Sequence, residues 1–366
     1  MIPIYKPYFT KESLKYAHDA IDSTWVSSHG KYLNLAEEKL KEITASKYVI
    51  LTNNGTAATH LVACSLKHKY PDIQRLVVPS NVYIAAWNMF KINPIYDLDP
   101  VDANLDTWNF DWDCEYMSFN NFLTRGFKVA VLAVHNIGNI INVPRIKERY
   151  PDIPIVEDNC EGFLGKYNGM PSGKASLAYS VSFFGNKTVT SGEGGAFFTD
   201  DEEIYNEMNR VRAHGITSEK FIFEGLGYNY RMTNVQAALL YGQLEMINEI
   251  LGRKEEIFEL YKEELKHELI YFANSEKGVT NPNWMLGMRF DLPKEKMDKL
   301  ILHLHSNDIE TRPMFPPMNY HKHMAHMGEF PVSQKLYETV LILPSYPELS
   351  KAEVKYICKT IKNFLK

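Results

Sequence analysis

No run of about eighteen consecutive apolar residues occurs in the chain, so no segment is expected to span a bilayer. An excess of one charge is also lacking. The formal net charge is -5, with acids and bases interspersed. That pattern gives neither the basic footprint of a nucleic-acid binder nor a polybasic patch for a membrane surface. Cysteine is sparse: Cys64, Cys114, Cys160 and Cys358 are far apart and form no CxxC pair. A disulfide framework is therefore not expected, and a reduced, intracellular setting is the simplest reading. The opening stretch, MIPIYKPYFTKESLK, gains charge within a few residues, unlike a signal peptide. No internal repeat or low-complexity tract appears, and proline and glycine nowhere concentrate into a linker. These absences leave a cytoplasmic enzyme as the leading class.

What is present is an α/β pattern. At 366 residues, 45% of them hydrophobic, the chain is long enough for two cores. KYVILTNN (47–54), RLVVPS (75–80), NPIYDLD (93–99), KVAVLAVH (128–135) and PIVEDN (154–159) are short and nearly continuous in apolar character, as strands buried on both faces of a mainly parallel sheet should be. Helical stretches at 55–70, 82–91 and 143–150 alternate with them. The texture changes after about residue 235. A long amphipathic stretch (234–269), with an expected break near Gly252, leads into a strand at 287–292 and a helix at 294–308. The expected division is a large domain over 1–248 and a smaller C-terminal α+β domain over 249–366, with the N-terminal residues free to pack on the smaller one.

Three local patterns carry chemistry. In TNNGTAATHL (52–61) a strand ends, Gly55 permits a tight turn and a helix begins, so free backbone N–H groups and the Thr56 hydroxyl could receive a phosphate. The same residues would also suit a plain strand-to-helix turn. PIVEDNCEGFLG (154–165) puts Glu157 and Asp158 at a strand's C-terminal end, the edge where ligands sit in open α/β sheets. Alternation sends only one of the two into a site, and a turn-capping acid is the plainer alternative. In SVSFFGNKTVTSGEGGAFFTD (180–200) a single lysine, Lys187, stands beside a glycine cluster. Glycines there let backbone approach closely, and an amine kept from water more readily becomes the neutral form that attacks a carbonyl. The glycines precede a strand rather than open a helix, so a dinucleotide loop is rejected. Pyridoxal phosphate needs all three parts: a phosphate cup, a carboxylate facing its ring nitrogen and a lysine.

The chain resembles the DegT/DnrJ/EryC1/StrS sugar aminotransferases, within the fold type I, aspartate-aminotransferase-like pyridoxal-phosphate enzymes. The resemblance runs through WVSSHGKY (25–32), NNGTAA (53–58), PSNVYIAA (79–86), VEDNCEG (156–162) and SFFGNKTVTSGEGG (182–195). It continues through GYNYRMTNVQAAL (227–239), IETRPMFPPMN (309–319) and LPSYPELS (343–350). It implies that Lys187 is the Schiff-base lysine and proton shuttle and that Asp158 is the pyridinium partner. Thr56, Ala57 and Ser182 would be phosphate ligands, and Tyr83 the ring that stacks on the pyridine. Asn229 would reach the phosphate of a neighbouring subunit, which makes a homodimer the minimal active unit. Glu161, where many relatives have Gln or His, resembles the branch that aminates C4 of nucleotide-linked 6-deoxy sugars, of the perosamine or viosamine type. Ser27, Lys31, Arg231 and Phe315 would contact the nucleotide sugar, with L-glutamate as amino donor. HNIGN (135–139) departs from the family's usual HLYGQ, which leaves Asn136 and Asn139 without an assigned role.

The alternatives are a 3-keto sugar aminotransferase, a sugar 3-dehydratase of the same fold, and a catalytically silent regulatory or binding protein on this scaffold. The dehydratase pattern replaces the lysine by histidine, and a silent protein should lose the lysine or the aspartate. This chain keeps both. The cluster His321, His323 and His326 lacks a completing acid or thiol within its run, so no metal is expected there.

Overall fold

The computed structural model describes residues 1–92, 94–112, 127–219 and 221–366; Cys114 and Asn93 lie outside the described residues. A seven-stranded sheet organises the larger part. Its strands are β1 (Tyr48–Thr52), β2 (Arg75–Pro79), β3 (Asp97–Val101), β4 (Val129–Val134) and β5 (Ile155–Asp158), followed by β8 (Ala178–Ser182) and β9 (Gly195–Thr199). The two-residue strands β6 (Lys166–Tyr167) and β7 (Met170–Pro171) fall between β5 and β8 and belong to a small separate sheet with β11 (Val279–Thr280). The order across the large sheet is β1-β9-β8-β5-β4-β2-β3. Only β9 runs against its neighbours; the other six strands all point the same way. All six residues of β4 are buried, as a central strand covered on both faces requires.

The expected strand at 93–99 is displaced to Asp97–Val101, where Leu98 and Val101 point into the core and Asp99 pairs with Arg75 on β2. The helix Gly55–Lys69 packs so closely that Ala57 to Ala63 are all buried, because its small residues let it settle onto β8 and β9. Asn54 caps its start by accepting from the Ala57 N–H, and Lys67, His68 and Lys69 complement the dipole at its other end.

A second sheet, β10-β12-β14-β13, has its own core. Its strands are β10 (Ile270–Tyr271), β12 (Leu286–Phe290), β13 (Arg312–Pro313) and β14 (Val340–Leu343). Met288, Phe290, Leu300, Leu304 and Ile357 are fully buried around it. The N-terminus reaches this unit: Ile2 bridges Ile309 and packs against the same core. The long amphipathic stretch is two helices, Asn234–Glu245 and Ile247–Glu264, and the break falls at Met246 rather than at Gly252. The first helix is pinned where Gly242 meets Ser13 so closely that a Cβ would lie 2.5 Å from the Ser13 Cα. The second must turn to bury Ile257, Phe258 and Tyr261 against the other sheet. Gly252 stays inside that helix, a position where glycine costs only about 1 kcal/mol. Among the described residues no helix is long and apolar enough to cross a membrane.

Candidate active site

The register of the parallel strands brings their C-terminal ends to one edge: Val134 lies opposite Asp158, and Asp158 opposite Ser180. The segments that follow β1, β2, β4, β5 and β8 therefore converge there, as the open-sheet rule demands. They face residues of the second sheet across a cavity of about 810 Å³. Thr56, Ala57, Tyr83, Asp158, Glu161, Ser182, Lys187 and Phe315 all line it.

One end of the cavity gathers hydrogen-bond donors at a helix start. The Gly55 and Thr56 amides stand in the first turn of their helix, where no intrahelical acceptor exists. The Ala57 amide is already held by Asn54 Oδ1 at 2.8 Å. A Cβ on Gly55 would fall 2.5 Å from the Ser182 Cβ and 2.8 Å from its Oγ, and one on Gly195 would fall 2.5 Å from the Asn54 carbonyl oxygen. Only glycines let the helix start, β8 and β9 come together and leave the Ser182 hydroxyl beside the free amides.

The floor is acidic and buried. Of the acidic pair, Asp158 faces the cavity and is 6% exposed. Its Oδ1 accepts from the Cys160 amide at 3.0 Å and its Oδ2 from the Thr59 hydroxyl at 3.5 Å. Glu157 points the other way, accepting from His135 Nε2 at 2.8 Å and the Gly173 amide at 3.1 Å. Glu161 is buried beside Asp158 and accepts from the Ile137 amide at 2.8 Å. Burial pushes its carboxyl up to about 7, against the opposing pull of the Lys187 charge and the Ile137 bond. Ile137 itself sits at φ 55°, ψ 22°, a left-handed conformation that a β-branched residue adopts only under constraint. Asn136 and Asn139 brace the neighbouring turns: Asn136 donates to the carbonyls of Asn81 and Trp108, and Asn139 to those of Thr107 and Asn274.

Lys187 is half-buried on a tight turn, its amide donating to the Phe184 carbonyl at 2.9 Å. Its Nζ lies 4.0 Å from the centroid of Trp284, a residue the sequence motifs did not single out. Also missed was a wall made by His60, Tyr228 and Tyr230, in which the two tyrosine rings stack at 4.9 Å and His60 Nδ1 lies 3.0 Å from the Tyr230 hydroxyl. The GYNYRM motif that holds both tyrosines was visible, but its fold onto His60 was not. Tyr83 remains 58% exposed and tilts against Phe315 with centroids 6.0 Å apart.

Four expected residues do not line this chain's cavity. Arg231 Nε donates to Asn229 Oδ1 at 3.2 Å, and the Asn229 carbonyl accepts from Asn53, so this pair stands just outside the rim. Lys31 pairs with Asp19 at 2.8 Å, and the Ser27 carbonyl accepts from the Asn234 amide at 2.6 Å. His321 packs edge-on against Trp87, and His323 lies against Asn88.

Pyridoxal phosphate fits the donor set: amides, hydroxyls and a helix start for its phosphate, a buried carboxylate for a cationic ring nitrogen, and an amine in the same cavity. The family model described as the DegT/DnrJ/EryC1/StrS aminotransferase family matches residues 7–362. The GDP-perosamine synthase of Escherichia coli O157:H7 is 33% identical over 374 residues, which cover 99% of this chain and 98% of that one. Among solved structures, a Streptococcus pneumoniae protein assigned to the sugar aminotransferases, in its PLP-form, superposes with a TM-score of 0.88 at 22% identity, covering 99% of this chain and 98% of that one. An Escherichia coli GDP-4-keto-6-deoxy-D-mannose-3-dehydratase with bound hydrated PLP gives 0.87 at 21%, covering 99% of each. At such identities the two structures show the fold alone. The matched family model and the full-length relative carry the conclusion that this chain belongs to the DegT/DnrJ/EryC1/StrS aminotransferase family, whose cofactor, pyridoxal phosphate, it shares.

Proposed function

We propose that the enzyme transfers the amino group of L-glutamate to C4 of a nucleotide-linked 4-keto-6-deoxy sugar, giving a 4-amino-4,6-dideoxy sugar of the perosamine or viosamine type, in the cytoplasm. The observation that carries this reading is the full-length similarity to a GDP-perosamine synthase, combined with a cavity that keeps Lys187, Asp158 and Glu161 together. Lys187 also argues against the 3-dehydratase reading, whose family pattern has histidine there.

Each residue then has a task. The Gly55 and Thr56 amides, the Thr56 hydroxyl and Ser182 would hold the phosphate, while Asp158 would face the ring nitrogen and Glu161 the ring hydroxyl. Bound there, pyridoxal phosphate supplies an electron sink for bonds at the donor's α-carbon. The Cys160 amide and the Thr59 hydroxyl orient Asp158, so its charge needs no reorganisation as positive charge persists opposite it. Lys187 Nζ takes the α-proton of glutamate in the first half-reaction and delivers a proton to C4 of the sugar in the second. The nitrogen leaves glutamate as 2-oxoglutarate forms and ends on the sugar. The buried floor keeps water from competing.

A homodimer with shared sites completes the reading. Asn229 is exposed and outside its own chain's cavity, and Ile216, Phe221, Phe223 and Leu226 of the preceding segment are exposed apolar residues, Leu226 at 78%. The test of substrate is a single-turnover comparison of a 4-keto-6-deoxyhexose nucleotide with its 3-keto isomer, using enzyme preloaded with the amine form of the cofactor. Faster amination of the 4-keto sugar is expected. Faster consumption of the 3-keto isomer, or a 3-deoxy product without nitrogen, would overturn the assignment.

A further inference from the structure

Trp284 precedes β12 and is 5% exposed, yet its ring closes the cavity wall beside Lys187. Two bonds fix it. Its indole Nε1 donates to the carbonyl of Asn186, the residue just before Lys187, at 2.9 Å. Its own carbonyl accepts from Lys254 Nζ at 2.6 Å, and Lys254 also donates to the Ser345 carbonyl at 2.5 Å. Lys254 lies on the Ile247–Glu264 helix and Ser345 follows β14, so the indole is tied to the lysine loop while the Trp284 backbone is tied to the long helix and the segment after β14. A lysine side chain carries about 2 kcal/mol of rotamer entropy, so a released amine needs a partner to stay in one place.

We propose that Trp284 is a positioning residue for Lys187: its ring face holds the Nζ amine beside the reacting carbons whenever that amine is free, and Lys254 fixes the backbone from which the ring projects. The inference rests on the reading of Lys187 as the cofactor-bearing lysine. When the α-C–H bond of the donor breaks, the electron pair stays on the carbon side and the proton forms a new N–H bond at Nζ. The resulting ammonium is the species that the negative face of an indole attracts most. Held there, it returns its proton along the same short path instead of turning to solvent.

Two measurements decide this. Enzyme loaded with the amine form of the cofactor, which leaves Lys187 free, is reductively methylated with carbon-13 formaldehyde. The Lys187 methyl signal is identified by its loss in Lys187→Arg. Ring current should place that signal upfield in the wild type, move it downfield in Trp284→Leu, and leave it intermediate in Trp284→Phe. Lys254→Met, which keeps the ring but removes the anchor of its backbone, should move it part of the way. In single-turnover reactions with glutamate, Trp284→Leu should slow the step about tenfold with KM little changed, and Trp284→Phe should recover most of the rate. The isotope effect from α-deuterated glutamate should rise in Trp284→Leu, which mere loosening of the fold would not cause. A methyl signal that none of the three variants moves, or a rate loss confined to KM with an unchanged isotope effect, overturns the proposal. Borohydride reduction and peptide mapping separate the two claims: label on another lysine sinks the functional reading, whereas the methyl signal reports the ring contact by itself.

Discussion

At the scale of single residues, the candidate site holds two buried carboxylates in different surroundings. Asp158 is oriented by two donors, so replacing it with Asn removes the charge while keeping the shape. Turnover in Asp158→Asn should fall at least about a hundredfold, as loss of a buried charge-assisted contact implies; near-normal turnover would remove Asp158 from the mechanism. Glu161 makes a prediction about stability. Its folded carboxyl titrates near 7 against an ordinary 4.5, so between those values the folded protein keeps a proton that the unfolded chain gives up. Its contribution is therefore fully present below about 4.5 and is lost as pH rises through 7. Relative to the wild type, cofactor-free Glu161→Gln should gain stability from pH 5 to pH 8, by up to about 3 kcal/mol. Urea unfolding at the two pH values reads this directly, and a pH-independent difference would contradict it.

At the scale of elements, much of the site was legible because it lies at strand ends. Period-two alternation anticipated that one of Glu157 and Asp158 would face the cavity, and the cavity lining shows it to be Asp158, with Glu157 held by His135 and Gly173. Trp284 was not legible. It comes 98 residues after Asn186, just before a strand of the other sheet, and no local pattern announces that crossing. The helix break was misplaced for a related reason: glycine marks a local preference, whereas tertiary packing at Ser13 and at the second core sets the turn at Met246. Two glycines on two helices test this. Gly252 has nothing within 4 Å of a would-be Cβ, so Gly252→Ala should stabilise the protein by about 0.5–1 kcal/mol. Gly55→Ala drives a methyl against Ser182, so it should lower the melting temperature and weaken cofactor binding at least about tenfold. Thermal melts and cofactor titration check both, and a harmless Gly55→Ala would mean that the cradle is looser than its geometry indicates.

At the scale of the whole molecule, the cavity is framed by two units with separate cores, and the large sheet supplies the cup, the acids and the lysine. The second sheet contributes Arg312 and Ile342 from across the gap, and the segments flanking its strands contribute Trp284 and Phe315. The shared-site reading predicts complementation. Mixing inactive Lys187→Ala with inactive Asn229→Asp should restore up to about a quarter of wild-type activity, since half of randomly formed dimers would carry one intact site. No recovery despite confirmed subunit exchange would return Asn229 to its own subunit or remove it from catalysis.

The central claim, nitrogen transfer to C4, is tested most directly by incubating the enzyme with nitrogen-15 glutamate and a nucleotide-linked 4-keto-6-deoxyhexose and locating the label by NMR. Nitrogen-15 should be bonded to C4 of the sugar, with 2-oxoglutarate formed in equal amount. Label at C3, or a sugar product carrying no nitrogen, would contradict it.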